Sequence, residues 1–154
     1  MLRYIALLPL LAGLICSSAQ AQNRGFGLGI IVGEPTGISG KLWTGGNTAI
    51  DGAVAWSFEK EASTHVHGDV IFHNFSFNPP EIRKGSLLLY YGIGGRVKFE
   101  DESKIGVRVP LGINYLFPRA PLDFFLEIVP ILDLAPSTDF SMNGAFGFRY
   151  FFGR

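Results

Sequence analysis

The chain has 154 residues, with 13 basic and 13 acidic side chains, 20 glycines, 21 aromatic residues (14 Phe, 5 Tyr, 2 Trp) and one cysteine. This length is that of one domain, the balanced charge offers no electrostatic footprint for nucleic acid, and a lone thiol excludes a disulfide framework. Abundant aromatics and glycine, without leucine-rich helical patterning, favour strands.

Residues 1–4 carry one positive charge, residues 5–16 are uncharged and mostly apolar, and Ala19-Gln20-Ala21 places small residues where signal peptidase reads. That is the layout of a secretory signal peptide, 1–21, ahead of a single barrel domain, 22–154. An apolar run of about 12 residues is too short to cross a bilayer as a helix, which needs roughly 20. Ile15 is bulky for the position before a lipidated cysteine, and cleavage after Ala21 removes Cys16, which suits an oxidising envelope compartment.

From Gly25 onward eight segments alternate with period two, so each has an apolar face and a wetter one. The first, Gly25 to Val32, sets Phe26, Leu28, Ile30 and Val32 against glycines and Ile31, and Gly33 to Gly37 turns the chain. The second, Ile38 to Trp43, opposes Ile38 and Leu42 to Ser39, Lys41 and Trp43. The third, Thr48 to Phe58, opposes Ile50, Val54 and Trp56 to Asp51, Ala53 and Ser57. In the fourth, Thr64 to Phe75, Val66, Val70 and Phe72 oppose His65, His67, Asp69 and His73, with Ile71 and Phe75 out of step.

The fifth, Leu87 to Phe99, follows a long connection through Asn78 to Glu81 and opposes Leu89, Tyr91, Ile93 and Val97 to Tyr90, Arg96 and Lys98. The sixth, Lys104 to Leu116, alternates most regularly, with Ile105, Val107, Val109, Leu111, Ile113 and Tyr115 facing away from Arg108 and Asn114. The seventh, Leu122 to Leu132, opposes Leu122, Phe124, Leu126 and Ile128 to Asp123, Phe125 and Glu127, with Pro130 expected at a bulge or at the strand's end. The eighth, Phe140 to Phe152, puts Phe140, Met142, Phe146, Phe148, Tyr150 and Phe152 on one face and Arg149 on the other.

An even number of antiparallel strands can close and leave no edge, which lipid demands because each unpaired backbone group there costs several kcal/mol. The expected fold is therefore all-β: a closed, eight-stranded, antiparallel up-and-down transmembrane β-barrel. Its polar face holds Lys41, Arg96, Lys98, Arg108 and Arg149 with Asp51, Asp69, Asp123 and Glu127. Interleaved with glycine and alanine, these charges can fill a narrow bore as a paired network, whereas one at mid-membrane on the outer face would cost roughly 2–4 kcal/mol. A soluble barrel would need the opposite arrangement, and eight strands enclose too little space for so many Phe, Leu, Ile and Tyr.

The chain resembles small eight-stranded outer-membrane proteins of the OmpA/OmpX kind, in which the last strand bears an assembly signal of alternating apolar or aromatic residues ending in Phe. Phe146, Phe148, Tyr150 and Phe152 match it, and Gly153 and Arg154 follow where the pattern ends on the aromatic. Residues 91–95, 107–115 and 146–150 are also similar to uncharacterised bacterial envelope barrels. The resemblance implies outer-membrane lipids as surroundings, periplasmic chaperones and the barrel-assembly machinery as transient partners, a monomer, and no permanent cofactor.

Three chemistries compete with a purely structural role. His65, His67, Asp69 and His73 share a face, with neighbours about 6–7 Å apart, and carry metal-ligand chemistry in principle; lumenal pairing with the basic set is the plainer reading, so no metal is assigned. Lipid A-modifying barrels need a His and a Ser together, yet His73 and Ser76, three apart, fall on opposite faces of a regular strand, so the chain is not expected to be an enzyme. A narrow pore or a lipocalin-like solute or lipid carrier is the alternative function. Trp43, Trp56, Tyr91, Tyr115 and Tyr150 are candidates for the interfacial aromatic girdles. With both ends periplasmic, the external connections near Glu34, Glu59, Asp101 and Pro136 are all short.

Overall fold

A computed structural model describes residues 24–57, 62–77 and 79–152, and every regular element in it is a strand. The expected signal peptide and Gly153-Arg154 lie outside the described residues. The strands are β1 (Phe26–Gly33), β2 (Thr36–Trp43), β3 (Thr48–Ser57), β4 (Ser63–Asn74), β5 (Ser86–Phe99), β6 (Lys104–Arg108), β7 (Leu111–Leu116), β8 (Leu122–Ala135) and β9 (Asp139–Phe152). Sequential neighbours pair antiparallel, β6 and β7 both lie between β5 and β8, and β1 pairs with β9. The result is a ring of eight staves without an edge.

The segment expected as one strand over 104–116 is split at Val109-Pro110 because proline has no N–H to give the ladder. The register is the same before and after the break, Arg108 facing Ile131 and Leu111 facing Ile128. Pro130 neither ends its strand nor bulges it. It sits opposite Met142, its carbonyl accepts the Val109 N–H at 3.0 Å, and β8 continues to Ala135. The irregularity is at Leu134, skipped where Ile105 pairs with Ala135 and Gly106 with Asp133.

Stagger follows from the registers. From Gly27 the partners run through Lys41, Asp51, Asp69, Gly94, Arg108, Ile131 and Ser141, and the path re-enters β1's register ten residues further along the chain. Ten residues at about 3.3 Å against eight spacings of about 4.7 Å correspond to a strand tilt of roughly 40°. A 14-residue stave such as β5 then rises about 35 Å.

Burial follows the period of two, inside out. Lys41, Arg108, Asn114, Asp123 and Asp133 are all at most 1% exposed, while Ile93 is 58%, Ile128 54% and Phe140 63% exposed. No Asp, Glu, Lys, Arg or His occupies an outward-facing strand position among the described residues. Trp56, Phe99 and Phe140 sit toward one end of this wall and Tyr115, Tyr150 and Phe152 toward the other. Trp43 corrects the expected girdle: it turns inward and is 7% exposed.

Glycine serves two purposes in the wall. Gly40, Gly52, Gly68 and Gly95 are successive register partners on the outer face and leave a shallow trench across β2–β5. Gly147 instead faces inward, where a Cβ would lie 2.6 Å from the Phe125 ring and against the Ile30 carbonyl. Gly147→Val is therefore expected to lower stability by about 1–3 kcal/mol through overpacking. Gly68→Val, whose Cβ meets nothing nearer than 3.9 Å, is expected to be neutral or to add up to about 1 kcal/mol. Urea midpoints in lipid vesicles separate the two.

Candidate functional site

The bore is a polar interior, and its groups meet across the ring. At the end where β1 begins and β9 finishes, Arg149 on β9 places Nη2 3.1 Å from Asp51 and Nη1 3.6 Å from Asp123, donates Nε–H to Ser39 Oγ at 3.0 Å, and lies 3.9 Å over the Phe125 ring. Lys41 on β2 sits 3.5 Å from Asp123 and donates to Asn114 Oδ1 at 2.9 Å, on the diametrically opposite stave. Its Nζ is also 2.9 Å from His73 Nε2 and 4.4 Å over Trp43.

Halfway along, Arg108 Nε lies 3.0 Å from Asp69 Oδ1 and its Nη2 3.4 Å from Glu127 Oε1, and Tyr90 donates its hydroxyl to Glu127 Oε2 at 2.7 Å. These tiers resolve a local conflict. Asp51 and Asp69 are direct cross-strand partners, an arrangement that is unfavourable for like charges. Arg149 reaches one from β9 and Arg108 reaches the other from β6, so each carboxylate has its own guanidinium.

Toward the other end, Arg96 holds Asp133 with two hydrogen bonds, 3.0 Å and 2.7 Å, the bidentate geometry that makes such pairs strong. Lys98 does not join this pair; with Lys104 it flanks Glu100, at 3.6 and 3.4 Å. Above Arg96 the bore widens into a partly enclosed polar vestibule of about 410 Å³, whose walls include His65, Arg96, Lys98, Asp139 and Asn143. It opens at the end where β1 meets β2, β5 meets β6 and β8 meets β9.

Eight of the nine charged residues expected in the lumen thus lie buried inside the barrel, and Lys98 lies at its mouth. Asp133 lies one residue beyond Leu132, where the sequence reading ends the seventh strand. The signal was present, since Asp123, Phe125, Glu127, Val129, Ile131 and Asp133 continue one period-two series through Pro130. Tyr90, Asn114, Ser39 and His73 were legible as inward-facing, not as partners of particular charges.

The histidine strand does not assemble as a metal centre. His65 and His67 are 5.2 Å apart edge to face, Asp69 is engaged by Arg108, and His73 lies between Lys41 and the Asn47 carbonyl. Among the described residues no three His, Cys, Asp or Glu groups converge as metal ligands. The His65 Nε2 and His67 Nδ1 atoms are buried without a hydrogen-bond partner among the described residues.

No protein-family model matches the chain, and no curated protein matches it in sequence. Among solved structures the chain is similar to the N-terminal β-barrel domain of Pseudomonas aeruginosa OprF, with a TM-score of 0.54 and 11% identity, covering 81% of this chain and 95% of that one. At this identity the likeness is one of fold, the small closed β-barrel described above.

Proposed function

We propose that the protein is an integral outer-membrane β-barrel with a structural or surface role, folded into lipid as a monomer and sealed along its bore by paired charges. The observation that carries this reading is the polarity of the wall. Among the described residues its outward strand positions hold no ionisable side chain except tyrosine, and its inward positions hold Arg108, Asp123 and Arg149 at most 3% exposed. In water that arrangement would leave the apolar surface unsheltered; in a bilayer it is the stable one.

The bore acts as a plug in this reading, because the Lys41 and Arg149 tier and the Arg108 tier each reach across it from several staves. Phe146, Phe148, Tyr150 and Phe152 serve assembly: they present a continuous apolar face on the closing strand to periplasmic chaperones and the barrel-insertion machinery. The reading includes no catalytic step. His73 is engaged by Lys41, and Ser76 lies beyond the end of β4.

Fractionation with heat-modifiable gel migration tests the location: the protein should require detergent for extraction and migrate faster unheated than boiled. Recovery in a detergent-free periplasmic extract would overturn the proposal. Planar bilayers test the plug, with membranes carrying the purified barrel expected to stay electrically silent. A regular unitary conductance would assign it to the narrow pores instead.

A further inference from the structure

The vestibule contains two arrangements that folding alone does not favour. Lys98 and Lys104 are direct cross-strand partners on β5 and β6, and Asp133 and Asp139 are direct partners on β8 and β9. Like charges in that relation are destabilising. Each pair has one counter-ion: Glu100 sits between the two lysines, and Arg96 takes Asp133. One wall is left with an excess positive charge and the other with an excess negative charge at Asp139, which has no ion-pair partner among the described residues.

Both pairs line the same cavity. His65 lines it as well, 1% exposed, with Nε2 unpartnered. The cavity is large enough for a ligand, since about 410 Å³ falls within the roughly 300–1,000 Å³ of small-molecule sites.

We propose that the vestibule binds a small zwitterion of the amino-acid or dipeptide class. Its ammonium group lies against Asp139, whose charge Arg96 leaves uncompensated, and its carboxylate lies against Lys98 and Lys104. A singly charged ligand relieves one like-charge pair and leaves the other. An ion with both charges relieves both, so recognition depends on the ligand having two poles. The site is independent of the plug below Arg96 and is occupied or empty whether or not the bore conducts.

The test is titration of the purified barrel in detergent micelles with glycylglycine, glycinamide and N-acetylglycine, followed by the amide resonances of Ser141 and Asn143 and by calorimetry. Saturable shifts with glycylglycine are expected, with each singly charged probe at least about tenfold weaker. Asp139→Asn should weaken glycylglycine by about tenfold while leaving heat-modifiable migration unchanged, because Asp139 belongs to no ion pair of the wall. Absence of saturable shifts in the wild type, equal binding of the three probes, or tighter binding of N-acetylglycine alone would each overturn the proposal. If Asp139→Asn does not fold, the three-probe comparison on the wild type decides by itself.

Discussion

Arg108→Met is expected to lower the unfolding free energy in lipid vesicles by about 3–5 kcal/mol, the range for removing one partner of a buried ionic cluster. Arg108 is 1% exposed and faces both Asp69 and Glu127. Among the described residues, Asp69 then retains no cation within salt-bridge distance, and Glu127 retains only the Tyr90 hydroxyl. The loss comes from stranding carboxylates in a space water enters poorly, rather than from the attraction forgone.

Neutralising the stranded groups should therefore restore stability. Arg108→Met combined with Asp69→Asn and Glu127→Gln is expected to recover most of the loss, although it contains fewer ionic contacts than either parent. Reversible urea unfolding monitored by tryptophan fluorescence reads both states, because Trp43 lies in the bore and Trp56 on the outer wall. A triple variant no more stable than Arg108→Met alone would mean that the ionic tier itself stabilises the fold.

Ile93→Arg addresses the other face. Ile93 is 58% exposed, stands midway along the 14-residue β5, and has Val70 as its partner on β4. On a soluble sheet an exposed isoleucine-to-arginine change falls within about 0.5 kcal/mol of neutral. At the midplane of a bilayer the same change costs about 2–4 kcal/mol. The same urea experiment distinguishes them, and Thr48→Lys at the rim supplies the comparison, with an expected cost of only about 0–1 kcal/mol. An Ile93→Arg barrel as stable as the parent would remove the basis for placing this wall against lipid.

The two predictions rest on parts of the structure that were unequally legible. All eight staves were visible in the sequence to within a few residues at each end, because side-chain direction alternates along a strand whatever surrounds it. Errors of detail occurred where proline and aromatic residues answer to their neighbours. Pro130 reads as a breaker, yet it lies on the outer face, and its missing N–H does not stop the strand from continuing to Ala135. Trp43 reads as an interfacial anchor, yet it stacks within 4.4 Å of His73 and of the Lys41 ammonium.

The sequence by itself determined which side chains face inward and which outward, that the staves are even in number, and hence that the chain closes with its charges enclosed. Only the tertiary structure decided the partners: Lys41 with Asn114, Arg149 with Asp51, Arg96 with Asp133, and the two like-charged pairs around the vestibule. Facing is a local property with a period of two residues, whereas partnership across a bore depends on the ten-residue stagger with which eight staves meet, and no single stave carries that information.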